Sequence, residues 1–299
     1  MSMSASKCLS RSAIALFATA ALMSSGCSSS KPETAVEVVV SEGYARALKL
    51  YEKREYQAAA IGLEPLQFTA RATALEDDVL YLLGQSYYHT DQYLLAAETF
   101  SRLQQQMPTS PFARAAQFMV AKSYEQLSPS VDLDQQPTRQ AIENFALYMD
   151  IYPMADSSKL SSDVQTYREL LKINPNNDSY KQNYSAATAK YARIDSLKYA
   201  EKAITVLREK LAKNSYTVAN QYVKLGKHKA AIVFYDDVLD KYGDTPYGKL
   251  AMEGKIAMLV KREKWFDAGA TLDQYLKRFP EKSKDMQSLK EKIAQHSKI

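Results

Sequence analysis

The sequence predicts an all-α fold, a solenoid of about five stacked helical hairpins with room for one more. Three observations carry this expectation. Glycine is scarce, with 9 copies in 299 residues, while tyrosine is plentiful, with 21; long periodic stretches poor in Gly favour helices over a many-turned sheet. A spacing of small, aromatic and proline residues recurs along the chain, the mark of helical units that bury their apolar faces only on one another. Hydrophobic residues make up 46% of the chain, enough for the core such stacking needs.

The first element is an export leader. Lys7 and Arg11 precede an apolar run from Ala13 to Met23, the order of the charged and apolar regions of a secretory signal. As a helix that run covers about 16 Å, roughly half of the ~30 Å hydrocarbon core of a bilayer, so it does not span a membrane. It ends in "SSGC", Ser24 to Cys27, which resembles the lipobox of bacterial lipoproteins, with Ser24 where that pattern usually has Leu, Val or Ile. Residues 1–26 are therefore expected to be a lipoprotein signal peptide and Cys27 the lipidated residue. Cys8 lies within the leader, and no cysteine follows Cys27, so the body has no internal disulfide. Two or more acyl chains, at about 0.8 kcal/mol per buried methylene, would make the attachment effectively permanent. Polar residues then fill a short tether, expected over 27–41.

The repeats begin after the tether. Tyr44, Tyr51 and Ala60 outline a first unit. Gly84, Tyr87, Ala96, Phe100 and Pro108 follow at the spacing of the tetratricopeptide pattern: small residues where antiparallel helices approach, aromatics between neighbours, and a proline that stops the second helix. Tyr124, Ala141, Phe145 and Pro153 repeat its second half, with extra residues around "SPSVDLDQ" in the intervening turn. N-terminal tetratricopeptide repeats are thus expected over 42–153. The register is lost over 154–203, read as a helical insert or extra repeat, in which Tyr180, Tyr184 and Tyr191 share one helix face packed on a neighbour. Tyr222, Ala231, Tyr235 and Gly243, then Ala268, Leu272 and Pro280, give C-terminal repeats over 204–299. The fold class is a tetratricopeptide-repeat α-solenoid.

Composition argues against several functions. A formal charge of +5 falls further when Lys7 and Arg11 leave with the leader, too mild to indicate nucleic acid. None of the three histidines has a second His or Cys at metal-ligand spacing, so no metal or cofactor is expected. Neither the glycine-rich nucleotide loops nor the serine-hydrolase elbow occurs. Asp236, Asp237 and Asp240 sit near Lys241 and read as a solvated face. No catalytic residue is assigned, and the chain is read as a non-enzyme that binds polypeptides in grooves.

Two segments are more specific than generic repeats. The stretch from Leu127 to Pro153, with "LDQ" in its lengthened turn, and the stretch from Leu207 to Pro246, opening on "LREKLA", resemble the BamD family, tetratricopeptide lipoproteins of the outer-membrane β-barrel assembly machinery. The resemblance implies five repeats, attachment to the inner leaflet of the outer membrane facing the periplasm, and no catalysis. It also implies that the C-terminal half docks on the POTRA domains of the barrel protein BamA, while the N-terminal repeats receive unfolded barrel proteins. The family's basic contact to BamA falls on Lys210, beside Arg208. The best-known relatives carry Arg there, and Lys lacks the same two-pronged geometry toward a carboxylate. Tyr51, Tyr87 and Tyr88 are the residues expected to offer a groove to extended apolar or aromatic peptide ends.

Two other binding functions compete. A periplasmic repeat lipoprotein coordinating cell-wall synthesis or envelope constriction would share the repeats but lack the "LDQ" turn and the "LREKLA" helix. A glycan-binding lipoprotein would be much longer.

Overall fold

The structure, a computed structural model, describes residues 35–153 and 157–296. Cys27 and the leader lie outside the described residues. Among the described residues every regular element is helical: α1 (Ala35–Glu52), α2 (Tyr56–Thr69), α3 (Glu76–His89), α4 (Tyr93–Gln106), α5 (Ala113–Leu127), α6 (Gln136–Ile151), α7 (Ser157–Ile173), α8 (Asp178–Lys224), α9 (His228–Tyr242), α10 (Pro246–Lys261), α11 (Trp265–Arg278) and α12 (Gln287–His296). Consecutive helices pack on one another as hairpins, except that α6 packs on α8 and not on α7, and each hairpin packs on the next. The fold is a tetratricopeptide-type α-solenoid.

Four hairpin turns share one backbone solution. Arg54, Asp91, Gly226 and Glu263 each take a positive φ, from 58° to 69°. In each turn the next residue's N–H bonds back to a carbonyl of the preceding helix: Glu55 to Leu50, Gln92 to Tyr87, Lys227 to Tyr222 and Lys264 to Leu259, all at 2.9 Å. This left-handed closure satisfies carbonyls that a helix end leaves open. Only one of the four positions is glycine, which is why the turns are hard to find by glycine alone.

The repeat positions do what their sizes dictate. Gly84, Ala96 and Phe100 are buried together between α3 and α4, and Ala141 with Phe145, Ala231 with Tyr235, and Ala268 with Leu272 recur in the same setting. Pro108 and Pro153 lie just beyond the ends of α4 and α6. Three core segments follow in chain order: α1 to α5, then α5 with α6 and the middle of α8, then the end of α8 through α12.

Two boundaries differ from expectation. The tether expected over 27–41 is already helical from Ala35, because Val40 is fully buried in the first core segment and pulls the preceding turn into α1. The insert expected over 154–203 comprises α7 and the first half of α8, and α8 continues unbroken to Lys224. No Gly or Pro occurs between Asp178 and Lys224, so nothing stops the helix. At 1.5 Å per residue α8 is about 70 Å long. Its start pairs with α7, its middle with α6 and its end with α9. Among the described residues no helix is long and apolar enough to cross a membrane.

Candidate functional site

One stripe of α5 carries Arg114, Phe118, Lys122 and Glu125, spaced so that they line the same side of the helix. Tyr81 and Tyr88 of α3 flank the stripe on one side, and Ala189, Ala192, Ser196 and Tyr199 of α8 flank it on the other. Small residues on α8 leave a cleft of about 240 Å³ opposite Arg114, Phe118 and Tyr81. The α7–α8 hairpin therefore supplies one wall of a groove that the regular repeats alone would leave open.

Aromatic rings fix the groove's shape. Tyr81 stacks on Phe112 at 4.6 Å between centroids, and Phe118 meets Tyr148 at 5.2 Å and Tyr199 at 5.7 Å. Lys122 Nζ sits 4.8 Å from the Tyr199 ring centroid and 5.8 Å from that of Tyr88, close enough for cation–π attraction. The Tyr199 hydroxyl donates to Glu125 at 2.7 Å, and burial, followed by that bond, raises its pKa.

Arg114 is the polar focus. Its Nε donates to the Tyr148 hydroxyl at 3.1 Å, and its guanidinium lies over the Tyr148 and Tyr152 rings at 5.5 and 5.1 Å. Its Nη2 is buried and has no hydrogen-bond partner among the described residues. A guanidinium donor that is charged and unsatisfied is costly unless something accepts from it. The arrangement suits a carboxylate attached to an apolar or aromatic group. Among the described residues no three His, Cys, Asp or Glu side chains gather as a metal site.

Of the tyrosines singled out from sequence, Tyr87 and Tyr51 sit away from this groove and Tyr88 borders it. Tyr87 is 6% exposed, belongs to the first core segment, and donates to Glu64 at 3.1 Å. Its place as a groove residue is corrected accordingly: the ring fills the space between hairpins. Burial, reinforced by the Glu64 bond, pushes its pKa up to about 12. Tyr51 is half-buried and packs edge-on against Tyr56 and His89 at the tips of the first two hairpins. Tyr88 is half-buried against His89, Tyr93 and Lys122, at the edge of the α5 groove. The structure thus brings only Tyr88 to the groove. Arg114, Phe118, Lys122, Tyr81 and Tyr199 were missed, although Arg114, Phe118 and Lys122 fall at i, i+4 and i+8.

Arg208 and Lys210 point to different neighbours. Arg208 reaches the α9–α10 turn, donating to Asp244 Oδ1 at 2.6 Å and to the Lys241 carbonyl at 3.2 Å. That bond from Arg208 lowers the Asp244 pKa. Lys210 Nζ instead donates to Ser128, to Oγ at 2.8 Å and to the carbonyl at 3.2 Å, and burial lowers its pKa. Asn214, one turn on, donates to the Val131 carbonyl at 2.6 Å. Both residues therefore grip the lengthened α5–α6 turn. Inside that turn Gln135, 2% exposed, donates to the carbonyls of Ser130 and Leu133 and accepts from Thr138.

A family profile described as YfiO, outer membrane lipoprotein, matches residues 37–174 and 161–259. A search among curated proteins returned no match. Similar solved structures include the TPR2AB-domain:pHSP90 complex of yeast Sti1, at 15% identity over 86% of this chain and 99% of that one, TM-score 0.31. Another is a tetratricopeptide repeat protein from Parabacteroides merdae, at 13% identity over 87% of this chain and 97% of that one, TM-score 0.32.

Proposed function

Because the chain belongs to the YfiO (BamD) family of outer membrane lipoproteins, we propose that it is a non-catalytic scaffold of the β-barrel assembly machinery. It is anchored through acylated Cys27 on the periplasmic face of the outer membrane, binds the POTRA domains of BamA, and holds unfolded barrel proteins for insertion. The observation that carries the substrate half of this reading is the α5 groove, where the unpartnered Arg114 Nη2 lies among aromatic rings. An extended segment can place an apolar or aromatic side chain in the cleft and a carboxylate on Arg114, and the long α8 wall keeps the groove open on a rigid element.

The BamA half rests on the C-terminal repeats and on Arg208, which is about one-third exposed and already aimed at a turn that a docked domain could cover. Lys210 donates to Ser128 of the same chain, so the proposed contact centres on Arg208, with Lys210 beside it. Affinity purification of the tagged protein from detergent-solubilised envelopes tests the proposal. Recovery of a large barrel protein with POTRA domains is expected, with unfolded barrel chains lost in Arg114→Met. Recovery of wall synthases in its place would overturn the reading in favour of a scaffold for cell-wall synthesis.

A further inference from the structure

The α8–α9 and α10–α11 turns lie side by side and frame a cleft of about 600 Å³ lined by Lys227, His228, Lys229, Val233 and Arg262, among others. Lys224, Lys261 and Lys264 lie within two residues of lining positions along the chain. Among the described residues none of these six cations pairs with a carboxylate, although Glu263 and Asp267 lie in and beside the second turn. Several cations elsewhere on the C-terminal repeats are paired, Arg208 with Asp244, Lys241 with Asp237, Lys249 with Glu281 and Lys255 with Asp236, and the unpaired lysines outside the cleft, such as Lys277 and Lys290, lie apart from its lining. Large apolar side chains stand among the free cations, with Leu225 67%, Val233 61% and Phe266 84% exposed. His228 adds a buried Nδ1 with no partner, and the N-terminus of α9, whose cap residue makes no side-chain bond, faces the same cleft.

We propose that this cleft is a docking site for an acidic segment of another protein, one that alternates carboxylates with at least one large apolar residue. Carboxylates complement the free lysines, Arg262 and the positive end of α9, and an apolar side chain covers Val233. A polypeptide is the occupant proposed because it can set carboxylates and an apolar side chain alternately along the cleft, matching cations that stand among exposed Val233 and Leu225. The site is distinct from the surface around Arg208, which lies at the opposite end of α9, about 20 Å away at 1.5 Å per residue.

The test is fluorescence anisotropy of a labelled octapeptide of alternating glutamate and leucine with the detergent-solubilised full-length protein. Saturable binding is expected, weakened about tenfold or more by raising salt from about 0.05 to 0.5 M, as screening requires. The exposed substitutions Lys229→Glu and Arg262→Glu should each weaken it about tenfold or more, while Lys53→Glu, an unpaired cation on the distant α1–α2 turn, leaves it unchanged. Circular dichroism establishes that the variants stay folded. Absence of peptide binding, or binding that survives both substitutions, overturns the proposal. It is overturned equally if phosphatidylglycerol vesicles bind through Arg262 while the peptide does not, or if sedimentation shows a self-associated form that Arg262→Glu dissolves.

Discussion

Replacing Gly84 by alanine should destabilise the protein even though alanine is the better helix former. A Cβ at Gly84 would lie 2.7, 2.8 and 2.9 Å from three atoms of the Phe100 ring, against the 3.5–4.0 Å of an ordinary carbon contact. Phe100 is 0% exposed and tilts against Tyr81 at 5.8 Å, so the ring has nowhere to retreat. Overpacking of this kind costs about 1–3 kcal/mol, and the gain in helix propensity returns about 1 kcal/mol. The net effect is a loss of about 0–2 kcal/mol by these figures. Gly62, inside α2, is the matched control: nothing lies within 4 Å of its Cβ position, so Gly62→Ala keeps the propensity gain and stabilises by about 1 kcal/mol. The two variants should therefore differ by about 1–3 kcal/mol with propensity cancelled. Urea denaturation followed by circular dichroism measures the gap, with hydrogen exchange assigning it to α3 and α4, since stacked repeats can unfold in parts. Adding Phe100→Leu to Gly84→Ala should cost less than Phe100→Leu alone, because the two side chains compete for one space. If Gly84→Ala proves as stable as Gly62→Ala, the close approach of α3 and α4 is not what the glycine serves.

Lys210→Met should speed hydrogen exchange across residues 128–135 and cost about 1.5 kcal/mol, the lower end for bonds to a charged group; loss of a partner with no change in that turn would contradict the internal role assigned to Lys210. Alkaline pH should unfold the chain through its buried tyrosines. Burial pushes Tyr87 and Tyr235 up to about 12 from an ordinary value of 10.0. Their contribution is thus complete below pH 10, where both states are neutral, and lost as pH rises through 12, because the unfolded chain ionises first. Tyrosine absorbance and helical signal should change together across that window, and tyrosines that ionise while the helices persist would refute it.

The five hairpins were legible because their positions obey size rules that packing enforces: Gly84 against Phe100, Ala141 with Phe145, and Ala268 with Leu272 each admit few alternatives. The long helix α8 was not legible, because its buried face changes partner along its length. Tyr180, Tyr184 and Tyr191 share the face expected to pack on a neighbour, and α7 lies beside them. Leu197, Ala200 and Leu207 face the α5–α6 core, and Ala219 joins the C-terminal one. No single period survives those changes. The groove was hidden for a related reason. Arg114 takes its meaning from Tyr148 and Ala189, residues remote in sequence, whereas Tyr87 looked like a binding residue only because aromatic repeat positions serve cores and surfaces alike.

The "LDQ" turn and the "LREKLA" helix, noted separately in the sequence, are two halves of one contact. The α5–α6 turn is too long for the left-handed closure used by four other hairpins, so its backbone carbonyls need other donors. Gln135 supplies them from within, while Lys210 and Asn214 supply them from α8. A shorter turn would leave the Lys210 ammonium partly buried without acceptors, and a helix lacking Lys210 and Asn214 would leave the turn's carbonyls open; each feature is costly without the other. The pairing also fixes α8 to the N-terminal hairpins just before it enters the C-terminal core. Ser196 in the groove wall and Arg208 facing the α9–α10 turn lie on this one helix, about 18 Å apart at 1.5 Å per residue. On the proposed function, a bound barrel segment and a docked BamA would therefore rest on a single rigid strut, and the lengthened turn holds that strut in register.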